Sequence, residues 1–146
     1  MSAGRWSCLR VTSEPATVKF ATTILYVDDV QGTLERFRDA FELEIAYLDE
    51  GGIYGELASG ETTLAFAERE FGRSHFEDDE TRALFDGLPR RFELGLTSED
   101  VEAAHRRACG CGMIPVRGPI EQPWGEVVAW VRDPEGILIE LSTPRG

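Results

Sequence analysis

An internal repeat constrains this chain more than anything else in it. Val27-Asp28-Asp29-Val30 falls on Ser98-Glu99-Asp100-Val101, 71 residues further on. Each copy follows a stretch that reads as a strand, Phe20–Val27 in the first and Phe92–Thr97 in the second. Each precedes apolar residues at helical spacing: Val30, Leu34, Phe37 and Phe41, then Val101, Ala104, His105 and Ala108. The acidic residues between strand and helix offer an N-cap and a negative charge at the positive end of the helix dipole. Gly110 and Gly112 end the second helix. Three short strand-like stretches complete each copy: Glu44–Leu48, Ile53–Ala58 and Thr62–Ala67, then Ile114–Val116, Glu126–Arg132 and Ile137–Leu141. Turn residues separate most of them, as in Glu50-Gly51-Gly52 and Asp133-Pro134-Glu135-Gly136. One such unit cannot bury both its sheet and its helix, whereas two side by side can curl into a half-barrel. The expected fold is α+β: two βαβββ modules forming a curved mixed sheet, a cup, with helices on the outer face.

A chain of 146 residues fits one domain. Residues 1–18 show no period and read as a flexible N-terminal extension. The domain then spans 19–144, with module one at 19–68, a linker at 69–91 and module two at 92–144. The linker is charged and carries Phe71, Phe76, Leu84 and Phe85. Asp79–Phe85 reads as a helical turn, and the segment as a linker packed partly on the body or as a lid. The net charge of −12 repels phosphate backbones and anionic lipid, so nucleic acid and membrane are poor partners. No apolar run approaches the ~18 residues of a membrane span. Arg5, Arg10 and Glu14 interrupt any signal-peptide core, which places the protein in the cytoplasm. Three cysteines give no disulfide framework, and Cys109-Gly110-Cys111 reads as small residues in a turn rather than half of a zinc site.

At this point the chain resembles the glyoxalase, bleomycin-resistance and extradiol-dioxygenase superfamily, also called vicinal-oxygen-chelate proteins. The resemblance runs from about Lys19 to Pro144. Its carriers are Thr23-Ile24-Leu25-Tyr26-Val27-Asp28-Asp29-Val30, Thr62-Thr63-Leu64-Ala65-Phe66-Ala67 and Pro123-Trp124-Gly125, with Arg132-Asp133-Pro134-Glu135-Gly136-Ile137-Leu138-Ile139-Glu140-Leu141 the most specific. Glu121-Gln122-Pro123-Trp124-Gly125 is similar to a loop of bleomycin-binding members. Metal-using members hold their ligands at four equivalent strand positions, two per module. The resemblance puts Thr22, Ala65, Glu93 and Glu140 there. No histidine is among them, alanine cannot ligate, and threonine is a poor ligand for such metals. The resemblance therefore implies a cup with no resident cofactor. A divalent metal, if one binds, would rest on Glu93 and Glu140.

Strand alternation supports a role for those two residues. Glu93, Gly95 and Thr97 share one face, opposite Phe92, Leu94 and Leu96; Leu138 and Glu140 share one, opposite Ile137, Ile139 and Leu141. The apolar faces suit the helix-covered core, which leaves Glu93 and Glu140 on the concave side as candidate catalytic residues. A solvated sheet face would also accept two glutamates. If both point into one cup, one pKa rises, which suits a general base or a cationic ligand that neutralises both. Tyr26, Tyr54, Phe66 and Trp124 are candidate ligand-binding wall residues beside Thr22 and Ala65, with core packing the competing explanation for each aromatic. His105 lies on a helix stripe and His75 in the linker, and neither calls for a catalytic role. Three functions follow: a small-molecule-binding protein or cofactor-independent enzyme with an acidic, metal-poor cup; a divalent-metal lyase or isomerase of glyoxalase type; or a dimeric scaffold without a small ligand. The expected partners are a small organic ligand and a second copy of the chain.

Overall fold

The computed structural model describes residues 17–145. The expected N-terminal extension lies almost wholly outside them. The first module runs β1 (Thr22–Val27), α1 (Val30–Phe41), β2 (Ile45–Leu48), β3 (Tyr54–Leu57) and β4 (Thr63–Glu68). Two short helices follow, α2 (Arg69–Arg73) and α3 (Asp79–Arg82), and α3 continues into a 3-10 turn over Ala83–Phe85. The second module runs β5 (Leu94–Thr97), α4 (Val101–Gly110), β6 (Ile114–Glu121), β7 (Val127–Arg132) and β8 (Leu138–Ser142). The strands divide into two four-stranded sheets of the same order, β1-β4-β3-β2 and β5-β8-β7-β6. In each, the first strand runs parallel to the last and the other pairs are antiparallel. The register repeats too: Ile24 lies opposite Ala65, and Gly95, its counterpart 71 residues on, lies opposite Glu140.

Local chemistry explains where the helices begin. Asp29 accepts from Gly32 N at 2.9 Å and Asp100 from Ala103 N at 3.0 Å, each satisfying an otherwise unpaired first-turn donor. The apolar stripe of α1 then meets the sheet, with Val30, Leu34, Phe37 and Ala40 buried. Burial of side chains such as Leu34 and Phe37 contributes roughly 1.5–3 kcal/mol each. The helix approaches so closely that a Cβ on Gly55 of β3 would sit 2.3 Å from Leu34 Cδ1. The modules join through their helices and turns. Arg36 of α1 donates to Asp133 Oδ2 at 2.8 Å, and Asp133 is completely buried. Glu135, in the same turn, accepts from Asp28 N and Asp29 N at 3.0 and 3.1 Å.

Two elements differ from expectation. β6 is eight residues long and not three, because it is an edge strand: Pro115 and Pro119 cost it no ladder bond on the open side, and two register shifts absorb them. The start of the linker is helical, because α2 continues directly from β4 and buries Gly72 against Tyr26 and Phe85. The linker therefore packs on module one.

Candidate functional site

β5, β8 and β7 present one face away from the helices. Glu140 lies opposite Gly95 on one side and Trp130 on the other. Glu93, two residues before Gly95, shares that face, and its Oε2 accepts from Trp130 Nε1 at 3.0 Å. The structure therefore brings Glu93 and Glu140 together and adds the Trp130 indole, which reaches across β8 from β7 to Glu93. Burial, and then the neighbouring carboxylate of Glu93, hold the Glu140 carboxyl above its ordinary value of 4.5. Glu126 pushes in the same direction and Arg145 opposes it. With its pKa raised, the Glu140 carboxyl holds a proton more readily than a free glutamate, and the pair of carboxyls can share a positive charge.

The corresponding face of module one is built differently. Thr22, Ile24 and Tyr26 of β1 lie beside Thr63, Ala65 and Ala67 of β4, then Tyr54 and Glu56 of β3. Tyr54 is half-buried, and burial followed by Glu56 raises its hydroxyl pKa. Tyr26 meets Phe85 edge-on, with centroids 4.7 Å apart. Ala65 is on this face but completely covered by its neighbours. Phe66 is not on it at all. Its ring is wholly buried on the opposite face, 4.9 Å from Phe37 of α1, so the expectation that it lines a cup wall gives way to core packing. Trp124 is 71% exposed at the turn between β6 and β7 and donates to Glu126 Oε2 at 2.8 Å.

Sequence reasoning missed Trp130 and Glu126. The signal was present in part, since Trp130 and Arg132 alternate with buried Ala129 and Val131, but only the pairing with β8 reveals that this face meets Glu140. The histidines contribute nothing to the face: His75 is exposed beside Phe71, and His105 is half-buried on α4, 4.0 Å from Cys109 Sγ.

A duplicated βαβββ chain, with a sheet face carrying paired positions in each module, defines a fold of vicinal-oxygen-chelate type. The chain belongs to the Glyoxalase/Bleomycin resistance protein/Dioxygenase superfamily, whose sequence pattern matches residues 19–141. It is 27% identical over 121 residues to YraH, an uncharacterized protein of Bacillus subtilis (strain 168), which covers 80% of this chain and 91% of that one. Its fold is similar to that of a glyoxalase/bleomycin resistance protein/dioxygenase family enzyme from Burkholderia phytofirmans PsJN, with a TM-score of 0.72, 16% identity and coverage of 86% of this chain and 98% of the other. A glyoxalase-related enzyme from Fulvimarina pelagi gives the same TM-score at 15% identity, covering 86% of this chain and 88% of that one. At such identities the likeness is one of fold.

The metals used by members of this superfamily need more donors than this face supplies. Of the four positions implied by resemblance, only Glu93 and Glu140 carry strong ligands, and among the described residues no three His, Cys, Asp or Glu side chains cluster for a metal. The donor set does not fit such a metal.

Proposed function

We propose that this is a cytoplasmic, homodimeric small-molecule-binding protein whose acidic cup takes an organic cation, with Glu93 and Glu140 as counter-charges and Trp130 as the aromatic wall. The observation that carries this reading is the Trp130 Nε1–Glu93 Oε2 hydrogen bond at 3.0 Å, which holds an indole beside two carboxylates that repel one another. An ammonium or guanidinium group placed there neutralises both charges and gains a cation–π contact of about 0.5–2 kcal/mol. Thr22, Tyr54 and Trp124 serve as secondary contacts in this reading. The raised pKa of Glu140 favours a second reading, in which the same pair catalyses a cofactor-independent lyase or isomerase reaction with Glu140 as general base.

A thermal-shift screen with phenyltrimethylammonium, thiol conjugates and divalent metals separates the readings. Binding at 100 times the dissociation constant stabilises the fold by about 2.7 kcal/mol. Stabilisation by the ammonium compound, lost in Glu140→Gln, supports the cation cup. Stabilisation by a metal alone, with stoichiometric metal retained on purification, replaces it with the metal-dependent lyase or isomerase.

A further inference from the structure

Residues 83–92, between the modules, run past the exposed face of β1 and enclose with it a cavity of about 570 Å³. Ile24 and Tyr26 form one wall; Leu84, Phe85, Leu88 and Phe92 form the other. Neither Glu93 nor Glu140 lines it. The roof is anchored at several points. The Phe85 ring stands edge-on to Tyr26, and Gly72 leaves room for both: a Cβ there would lie 2.5 Å from each ring. Arg73 pairs with Asp86, and Arg69 Nη1 donates to Gly87 O at 3.0 Å. From the second module, Gly136 comes so near Leu88 and Pro89 that an added Cβ would meet them at 3.0 and 3.3 Å. The cavity is therefore held open by packing and ion pairs, and its volume is that of a small-molecule pocket.

Its lining is apolar beyond what folding requires. Leu84 is 80% exposed, Leu88 54%, Ile24 41% and Phe92 40%. Four adjacent large apolar side chains left in water mark a surface that an occupant covers. Two charged residues complete the lining, Asp86 and Arg90. Asp86 is neutralised by Arg73, whereas Arg90 has no carboxylate partner among the described residues.

We propose that this cavity is a second binding compartment, for a small apolar monoanion: a flat aromatic body lies between Ile24, Phe85 and Phe92, with a single carboxylate or sulfonate at Arg90. The net charge of −12 opposes anions at long range, so apolar contact supplies most of the affinity and Arg90 selects the sign.

The test uses the full chain and two fluorescent probes of one shape. 8-Anilinonaphthalene-1-sulfonate carries the negative charge and N-phenyl-1-naphthylamine lacks it. Both should bind saturably at one site per chain, the sulfonate more tightly. Arg90→Gln should weaken the sulfonate about 2- to 5-fold, the range of an exposed ion pair, and leave the neutral probe unchanged. Leu84→Asp alters an exposed side chain, and an unchanged melting temperature will show that it folds; it should weaken both probes about tenfold or more. Non-saturable binding overturns the proposal, as does an Arg90 effect equal for both probes or indifference to Leu84→Asp. Wild-type protein that binds neither probe, but whose Leu84→Asp form halves in mass by light scattering, overturns it in favour of a second copy as the occupant. Failure of the glutamate pair to bind cations leaves these readouts untouched.

Discussion

Glu93 and Glu140 sit on a sheet face where water only partly screens them, and the residue-scale chemistry follows from that. Burial and the Glu93 charge raise the Glu140 pKa above 4.5, so the folded chain holds that proton more tightly than the unfolded chain does. The resulting stability is present below 4.5 and is lost as pH rises through the folded value. Glu140→Gln removes the loss. It should melt like wild type below 4.5 and higher at neutral pH, measured by calorimetry across that range, while losing ammonium binding. Glu93→Gln relieves the same repulsion and keeps an acceptor for Trp130, so it too should melt no lower and bind less. A lower melting point at neutral pH for either variant would mean that a cation such as Arg145 already compensates the pair.

At the scale of elements, two contacts decide how the parts sit. The turn between β7 and β8 latches onto the start of α1 through Asp133 and Glu135. Asp133 is 0% exposed, and its loss leaves Arg36 without its counter-charge in a half-buried position. Asp133→Asn should therefore cost roughly 3–5 kcal/mol in denaturant unfolding. For a chain of this length that lowers the melting temperature by about 6 °C or more. A change within experimental error would show that the latch is solvated in solution. The second contact is the seat of α2 on β1. Gly72→Ala places a methyl group within 2.5 Å of Tyr26 and Phe85, so α2 and the linker after it must lift. Trypsin should then cleave at Arg82, Arg90 and Arg91 faster than in wild type, and unfolding should be easier by about 1–3 kcal/mol.

At the scale of the whole molecule, the described residues leave the long edge of β6 uncovered. β6 is exposed along nearly its entire length, and Ile114 and Val116 present apolar side chains to solvent. Pro115 and Pro119 blunt that edge against simple strand addition, so a partner would meet it through side chains. A homodimer mass is expected by light scattering at micromolar concentration, with Val116→Asp shifting it toward monomer at an unchanged melting temperature. A monomeric wild type would remove the homodimer from the proposed function.

The sequence by itself determined the duplicated βαβββ order, both helix starts and the alternation that separates Glu93 and Glu140 from the core. These depend on caps, periodicity and turns, which act over a few residues and repeat 71 residues apart. Only the tertiary structure decided which faces meet. Phe66 and Tyr54 are aromatic strand residues of similar appearance, yet one fills the core against Phe37 and the other lies on the open face. The length of β6 was hidden by its prolines, because an edge strand tolerates what a central strand does not. Trp130 joined the glutamates only once β7 was paired with β8, since strand register is a long-range choice that no local pattern encodes.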